Sequence, residues 1–292
     1  MRAVWSLWTK PLRERPQGAW LSERHHWLSW ILSVETARRH YPRLSLVTDD
    51  AGAKILVDGL GLKFDSVSME LNGMEHHDPR WWALGKLYAY RAQQEPFVHV
   101  DADVYLWKQL PESLMASPVF AQSPEPIENF SYYPDKFKRL ARSGAWIPDE
   151  LAWSMDTGQP KIAVCCGILG GSDMDLIHHY ASNAIRLVEE PPNTGLWLVE
   201  EPDNMLVEQY FLAICVEYRR RDILSSVNPP HIAYLFDHEY EPFDPIAARR
   251  VGYTHLISRA KQNLYLLDLL ERRVRNDFPS LYQRCGHYCS NS

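Results

Sequence analysis

Apolar residues fall along this chain in short runs separated by longer amphipathic stretches, a pattern that predicts strands alternating with helices. AVWSLW, residues 3 to 8, reads as a first strand. Trp27, Trp30, Ile31 and Val34 then recur at helical spacing, predicting a helix that runs toward Arg38 and Arg39. LSLVT (44–48) is a second strand, and DDAGAKILVDGLG after it is a helix that Asp49 or Asp50 can cap and Gly59 or Gly61 can end. A short strand near 64–68, a helix over WWALGKLYAYRAQ (81–93) and the strand FVHVD complete this series. Strands joined through helices imply parallel β-α-β units, with ligands outside the carboxyl ends of the strands.

Between about 108 and 160 the pattern breaks down into Pro, Ser and aromatic residues centred on SPEPIENFSYYPDKF. So long an irregular passage predicts a functional insertion rather than a plain connector. Regularity returns with KIAVCCGILGG (161–171), a strand entering a glycine-rich turn, and with helices over DMDLIHHYASNAIRLVEE and NMLVEQYFLAICVEYRR. Leu266, Leu269, Leu270 and Val274 at helical spacing predict one closing helix within 262–284.

FVHVDADVYLW (97–107) departs from the apolar rhythm, because Asp101 and Asp103 interrupt what otherwise reads as a buried strand. Unpaired charge there costs several kcal/mol, so the pair must be solvated or matched by a cation. Residues two apart on a strand face the same side, so both carboxylates can converge on one hard divalent ion, Mg²⁺ or Mn²⁺, whose shell phosphates often complete. The alternative is a chance D-x-D on a solvated loop. Lys86, on an otherwise apolar helix, and His255, Arg259 and Lys261, in GYTHLISRAKQN, supply further cations and an imidazole suited to such a site.

Composition narrows the partners. The 292 residues are 46% hydrophobic and 23% charged, an ordinary globular balance, while 11 Trp hint at ligand-facing surface. A net charge of −6 argues against nucleic acid and against an anionic membrane surface. MRAVWSLWTKP does not read as a signal peptide, and no apolar run reaches the roughly 18 residues of a spanning helix. Five cysteines, an odd count, then point to reduced thiols and a cytoplasmic location. Cys285, His287 and Cys289 lack a second ligand pair at zinc-finger spacing.

Taken in order, Lys86, the DAD of 101–103 and the H-LISRA-K of 255–261 resemble the retaining glycosyltransferases of the glycogenin and bacterial lipooligosaccharide galactosyltransferase type. RLSLVTDDAGAKILVDGLGLKFDSV (43–67) matches that family's strand, helix, strand order; CCGILGG stands in place of its Asn-Ser-Gly strand, and EQYFL (208–212) in place of its Asp-Gln-x-x-Leu helix. Ser258 replaces the family glycine, Gln262 the proline after the lysine, Cys165 or Cys166 the asparagine, and Glu208 the aspartate. The metal and phosphate half is thus well matched, and the half that grips donor sugar and acceptor is not.

The resemblance implies a single GT-A-like α/β domain with a mostly parallel nucleotide-binding sheet flanked by helices, an irregular acceptor-side insertion and a C-terminal helix. Its nucleotide-binding half would span 1–107, its acceptor and metal half 108–263 and its helical tail 264–292. Asp101, Asp103 and His255 become metal ligands for Mn²⁺ or Mg²⁺, with Asp103 also serving catalysis through the ion. Lys86, Asp101 and Lys261 become contacts to the phosphates or donor, and Glu208 and Gln209 catalytic candidates on the acceptor side. The base is expected around Trp5–Thr9 and Thr48–Asp50. The implied reaction moves a sugar, with retention, from a nucleotide-sugar donor, expected to be a UDP-sugar, to a saccharide, lipid-linked glycan, protein or small-molecule acceptor. The His255 segment is expected to close over the donor.

Two other readings are compatible with the same residues. A non-catalytic nucleotide-sugar binding module fits the altered acceptor motifs. An aspartyl-phosphate phosphatase also places D-x-D after a strand, but its motif usually has Thr or Val where this chain has Tyr105. The pairs His25, His26 and His76, His77 are expected in solvated or capping roles and Trp81 and Trp82 in the core, while Tyr132, Tyr133 and Trp146 are the candidates for sugar-stacking platforms.

Overall fold

The helix Glu23–Ala37 shows how the apolar pattern becomes structure. Ser22 caps it by accepting from the His25 backbone N–H, and Trp27, Leu28, Trp30, Ile31 and Val34 are buried along it. Each such burial contributes about 1.5–3 kcal/mol relative to exposure. In this computed structural model the described residues are 1–14, 18–127, 132–197, 202–222 and 229–291.

Nine strands are present among the described residues: β1 (Arg2–Leu7), β2 (Leu44–Thr48), β3 (Ser66–Ser68), β4 (Phe97–Val100), β5 (Val104–Leu106), β6 (Val119–Pro126), β7 (Ile162–Gly171), β8 (Ile232–Tyr234) and β9 (Tyr253–His255). The fold is α/β, with seven of these strands in a mostly parallel sheet flanked by helices. The chain divides into two units, one of residues 1–79, 98–110 and 242–292, the other of residues 80–97 and 111–241.

The first unit holds the run β3-β2-β1-β4. β1 lies parallel to β2, with Ala3 opposite Leu44 and Leu7 opposite Thr48, and β2 lies parallel to β3. All five residues of β2 are buried, as expected of a parallel strand covered on both faces. A separate two-stranded sheet pairs β5 antiparallel with β9, setting Val104 against His255. The helix Glu23–Ala37 packs against β5 and against the helices Leu264–Asp277 and Pro279–Asn291. The single closing helix expected from the sequence is therefore two, because Pro279 ends one at Phe278 and opens the next.

In the second unit the strand run is β7-β6-β8, with β6 antiparallel to β7 and parallel to β8. The helices Leu84–Arg91 and Met174–Glu189 pack together, the latter capped by Asp173 and burying Leu176, Ile177, Tyr180 and Ile185. The passage 108–160 is more regular than its composition suggests: it carries β6 and the helices Glu112–Met115, Tyr132–Arg142 and Asp149–Thr157. β6 tolerates Pro124 and Pro126 because its pairing with β8 ends at Ala121, before either proline, so a missing N–H breaks no ladder there. Among the described residues no helix is long and apolar enough to cross a membrane.

Candidate metal centre

Asp101 and Asp103 do not lie on one continuous strand. β4 ends at Val100, β5 begins at Val104, and the residues between form a turn closed by Val104 N–H donating to Asp101 C=O at 3.0 Å. The apolar run resumes because β5 leaves for a different sheet. The turn still brings the two carboxylates together, and β9 adds His255 across its antiparallel pairing with Val104. One ligand atom each from Asp101, Asp103 and His255 lies within 4.8 Å of the others.

The helix Glu23–Ala37 holds this turn from behind. Ser29 Oγ donates to Ala102 C=O at 2.7 Å and contacts Tyr105 Oη at 2.8 Å, while Ser33 Oγ donates to Asp101 C=O at 3.1 Å. Neither serine was singled out from the sequence, although two serines four apart inside an apolar helix are a legible signal: a buried hydroxyl needs a partner. His99 adds a flank to Asp101, with Nδ1 at 3.7 Å from the carboxylate and Nε2 at 2.9 Å from Ser6 Oγ.

Asp103 is the electrostatic centre of the group. Its carboxylate stands 2.5 Å from Lys261 Nζ and 3.3 Å from His255 Nε2. Burial pushes its carboxyl up, but His255 and Lys261 together outweigh that effect and hold it well below the usual carboxylate range. Lys261 also lies 5.7 Å from the centre of the Trp20 ring. Trp20 and Trp27 sandwich His26, at 6.3 and 4.6 Å between ring centres, and Trp30 Nε1 donates to His26 Nε2 at 3.2 Å. The His26 ring is half-buried, and burial pushes its imidazole down to about 3. His25, beside the Ser22 cap, fits the expectation of a solvated or capping role.

The segment after His255 has a backbone singularity at Ser258, which adopts φ of 49°. This is where the resembled family has glycine, the residue for which the left-handed region is free of strain. Leu21 N–H donates to Lys261 C=O, tying this segment to the loop that carries Trp20.

Trp5 and Thr48, expected near a nucleotide base, are fully buried. Trp5 Nε1 donates to Ser33 Oγ at 2.9 Å, so this residue supports the metal turn through the serine. Thr48 Oγ1 donates to Leu7 C=O at 2.6 Å. Next to it, Asp49 accepts from Thr9 N–H, Thr9 Oγ1 and Gly52 N–H, each at 2.8 Å, knitting together the ends of β1 and β2.

Lys86, Glu208 and Gln209 belong to the second unit and make a cluster of their own. Lys86 Nζ is 2.5 Å from Glu208 Oε1 and donates to Cys166 C=O at 3.2 Å. Tyr90 Oη donates to Glu208 Oε1 at 3.2 Å, and Tyr180 Oη to the Glu208 carbonyl at 2.6 Å. Glu208 is completely buried, and its Oε2, like Oε1 of Gln209, accepts no hydrogen bond among the described residues. Both residues lie in a π-helical segment, Leu206–Tyr210, a local widening that often accompanies functional sites. Of the remaining candidates, Trp81 is buried edge-on against Trp197 while Trp82 is 47% exposed, and Trp146 is covered by the Arg186 guanidinium at 3.9 Å. The side chains of Tyr132 and Tyr133 lie outside the described residues.

Two carboxylates and an imidazole make an oxygen-rich set suited to Mg²⁺ or Mn²⁺, and their mutual distances allow one ion to touch all three. The model of DUF6734, described as a family of unknown function, matches residues 1–288, and the chain belongs to that family. A search of curated proteins found no match.

Proposed function

We propose that this DUF6734 protein is a metal-dependent glycosyltransferase that moves a sugar from a nucleotide-sugar donor, a UDP-sugar in the first instance, to a hydroxyl-bearing acceptor. The observation that carries this reading is the convergence of Asp101, Asp103 and His255, with Lys261 beside them, from segments about 150 residues apart in sequence. The resemblance of the same residues, in the same order, to retaining glycosyltransferases supports it, as does the left-handed backbone at Ser258.

In this reading Asp101, Asp103 and His255 hold Mn²⁺ or Mg²⁺, which when bound supplies positive charge to a departing diphosphate. The bond broken joins the anomeric carbon to the β-phosphate oxygen, and its electron pair leaves with the nucleoside diphosphate. The Lys261 ammonium, partly exposed, pairs with the phosphate oxygens as their charge grows. The acceptor oxygen forms the new bond to the anomeric carbon, and its proton passes to the leaving phosphate. In the second unit, Lys86 and Tyr90 hold one oxygen of Glu208, whose side chain is completely buried.

The test is a panel of UDP-, GDP- and other sugar nucleotides with Mn²⁺, scored for nucleotide release, repeated on Asp103→Ala. Release that depends on Mn²⁺ and disappears in the variant is expected. Equal release by the variant, or none for any donor, overturns the proposal. Thermal stabilisation by UDP-sugar and Mn²⁺ with no release would favour a binding module instead.

A further inference from the structure

Apart from the metal cluster, the first unit contains a cavity of about 650 Å³ between the β5–β9 pair and the helices Pro245–Val251 and Leu264–Asp277. Its size falls in the range of about 300–1,000 Å³ typical of small-molecule sites. Leu256, Leu266, Leu269, Leu270 and Trp107 are among its apolar lining.

The charged residues lining the cavity are all cations: Lys108, Arg249 and Arg273. Among the described residues no carboxylate lines it, although acidic residues outnumber basic ones in the whole chain, 37 to 31. Of the three, Arg273 is the one with an ion pair among the described residues. Lys108 Nζ donates to a backbone carbonyl, that of Arg250, at 3.0 Å. Arg273 pairs with Asp277 at 3.0 Å, but Asp277 is shared with Arg39 at 3.6 Å, so one carboxylate serves two guanidiniums. The Arg273 guanidinium is also held flat, 4.9 Å from the centre of the Trp107 ring. Gly252, in the left-handed region at φ 76°, fixes the Lys108 stem, since a Cβ there would come within 2.4 Å of Lys108 Cγ.

An apolar hollow whose only charges are positive complements a ligand with an aliphatic body and an anionic end. We propose that this cavity binds a single-chain anionic amphiphile, its hydrocarbon against the leucines and Trp107 and its head group met by Lys108, Arg249 and Arg273. The site is independent of the glycosyltransferase reading, but it shares β9 with it: Thr254 and Leu256 line the cavity on either side of the candidate metal ligand His255.

The probe is dodecyl phosphate below its micelle concentration, titrated calorimetrically into the full chain beside uncharged dodecyl maltoside. One molecule of dodecyl phosphate per chain is expected, bound at least about tenfold more tightly than the maltoside and less tightly as salt is added. Arg249→Glu and Leu269→Glu, both at exposed positions, are each expected to weaken it by about tenfold or more. Arg272→Glu, on the same helix but not lining the cavity, should leave it unchanged. Melting curves confirm that the variants fold, with Arg249→Ala as the milder substitute. Equal affinity for the two dodecyl compounds, full binding by both glutamate variants, or binding of anionic vesicles without binding of the monomer would each overturn the proposal. So would a dimer, seen by sedimentation, that Leu269→Glu dissociates, since a second copy would then occupy the hollow.

Discussion

Two lysine–carboxylate pairs in this protein share the same 2.5 Å separation but differ in everything around them. Lys261 and Asp103 meet on irregular backbone, a turn and a 3-10 segment, with a second carboxylate and an imidazole converging from the same side. Lys86 and Glu208 meet between packed helices, where two tyrosines and a carbonyl surround them and Glu208 has no exposed surface. A close ion pair therefore says little by itself about chemistry. The first pair belongs to a set of donors suited to an ion. The second satisfies one oxygen of a carboxylate enclosed in the packing.

The sharpest way to break this contrast is at Asp103. Asp103→Asn keeps the shape but removes the charge that His255 and Lys261 face, and nucleotide release is expected to fall by about 10³-fold or more, with Mn²⁺ binding lost in calorimetry. Urea unfolding should change less than at Lys86, since the Lys261 ammonium retains some exposure and can be solvated. A stability loss as large as that at Lys86 would erase the distinction between the pairs.

Lys86→Met should behave in the opposite way. It leaves Glu208 buried without its cation, at a cost of about 3–5 kcal/mol of stability in urea unfolding, while Mn²⁺ affinity stays unchanged. The double variant Lys86→Met/Glu208→Leu is expected to recover most of that loss, because removing both charges removes the desolvation cost as well. Failure of the double variant to recover would show that Glu208 is held by more than its lysine.

Much of this contrast was legible in the residue order, and the part that was not has identifiable causes. Helix Glu23–Ala37, β2 and β7 followed from periodicity because their apolar faces are long and unbroken. β6 did not, because its prolines look like loop residues unless one knows that its ladder with β8 ends before them. The candidate metal cluster was legible as a D-x-D followed far along the chain by a His and a Lys, yet its convergence depends on a turn rather than on strand alternation. Trp5 and Thr48 carry polar atoms that could meet a base, but their position in the chain does not reveal that Ser33 and the Leu7 carbonyl already engage them.

The support behind the metal turn is the next place to press. Ser29→Ala removes the hydroxyl that holds the Ala102 carbonyl, and outer partners of this kind typically contribute 10–100-fold to metal affinity. Calorimetry with Mn²⁺ should show a loss of about that size, with ligand identity unchanged. In the second cluster the corresponding hydroxyl is that of Tyr180 on the Glu208 carbonyl, and Tyr180→Phe should leave Mn²⁺ affinity unchanged. Unaltered Mn²⁺ affinity in Ser29→Ala would mean that the turn is held by its own Asp101–Val104 hydrogen bond.

The smallest effect is expected at Ser258, and its sign is the informative part. With φ of 49° the serine occupies a region that costs an L-residue about 1–2 kcal/mol, whereas glycine enters it freely at some cost in unfolded-state entropy. Ser258→Gly should therefore leave stability unchanged or raise it by up to about 1 kcal/mol, with Mn²⁺ affinity preserved. Ser258→Val, β-branched and ill suited to positive φ, should lower both, because the backbone that carries His255 into the cluster and Lys261 onto Asp103 must shift to relieve it. If glycine and valine proved equivalent, the left-handed turn would not be what brings these two residues to the carboxylate.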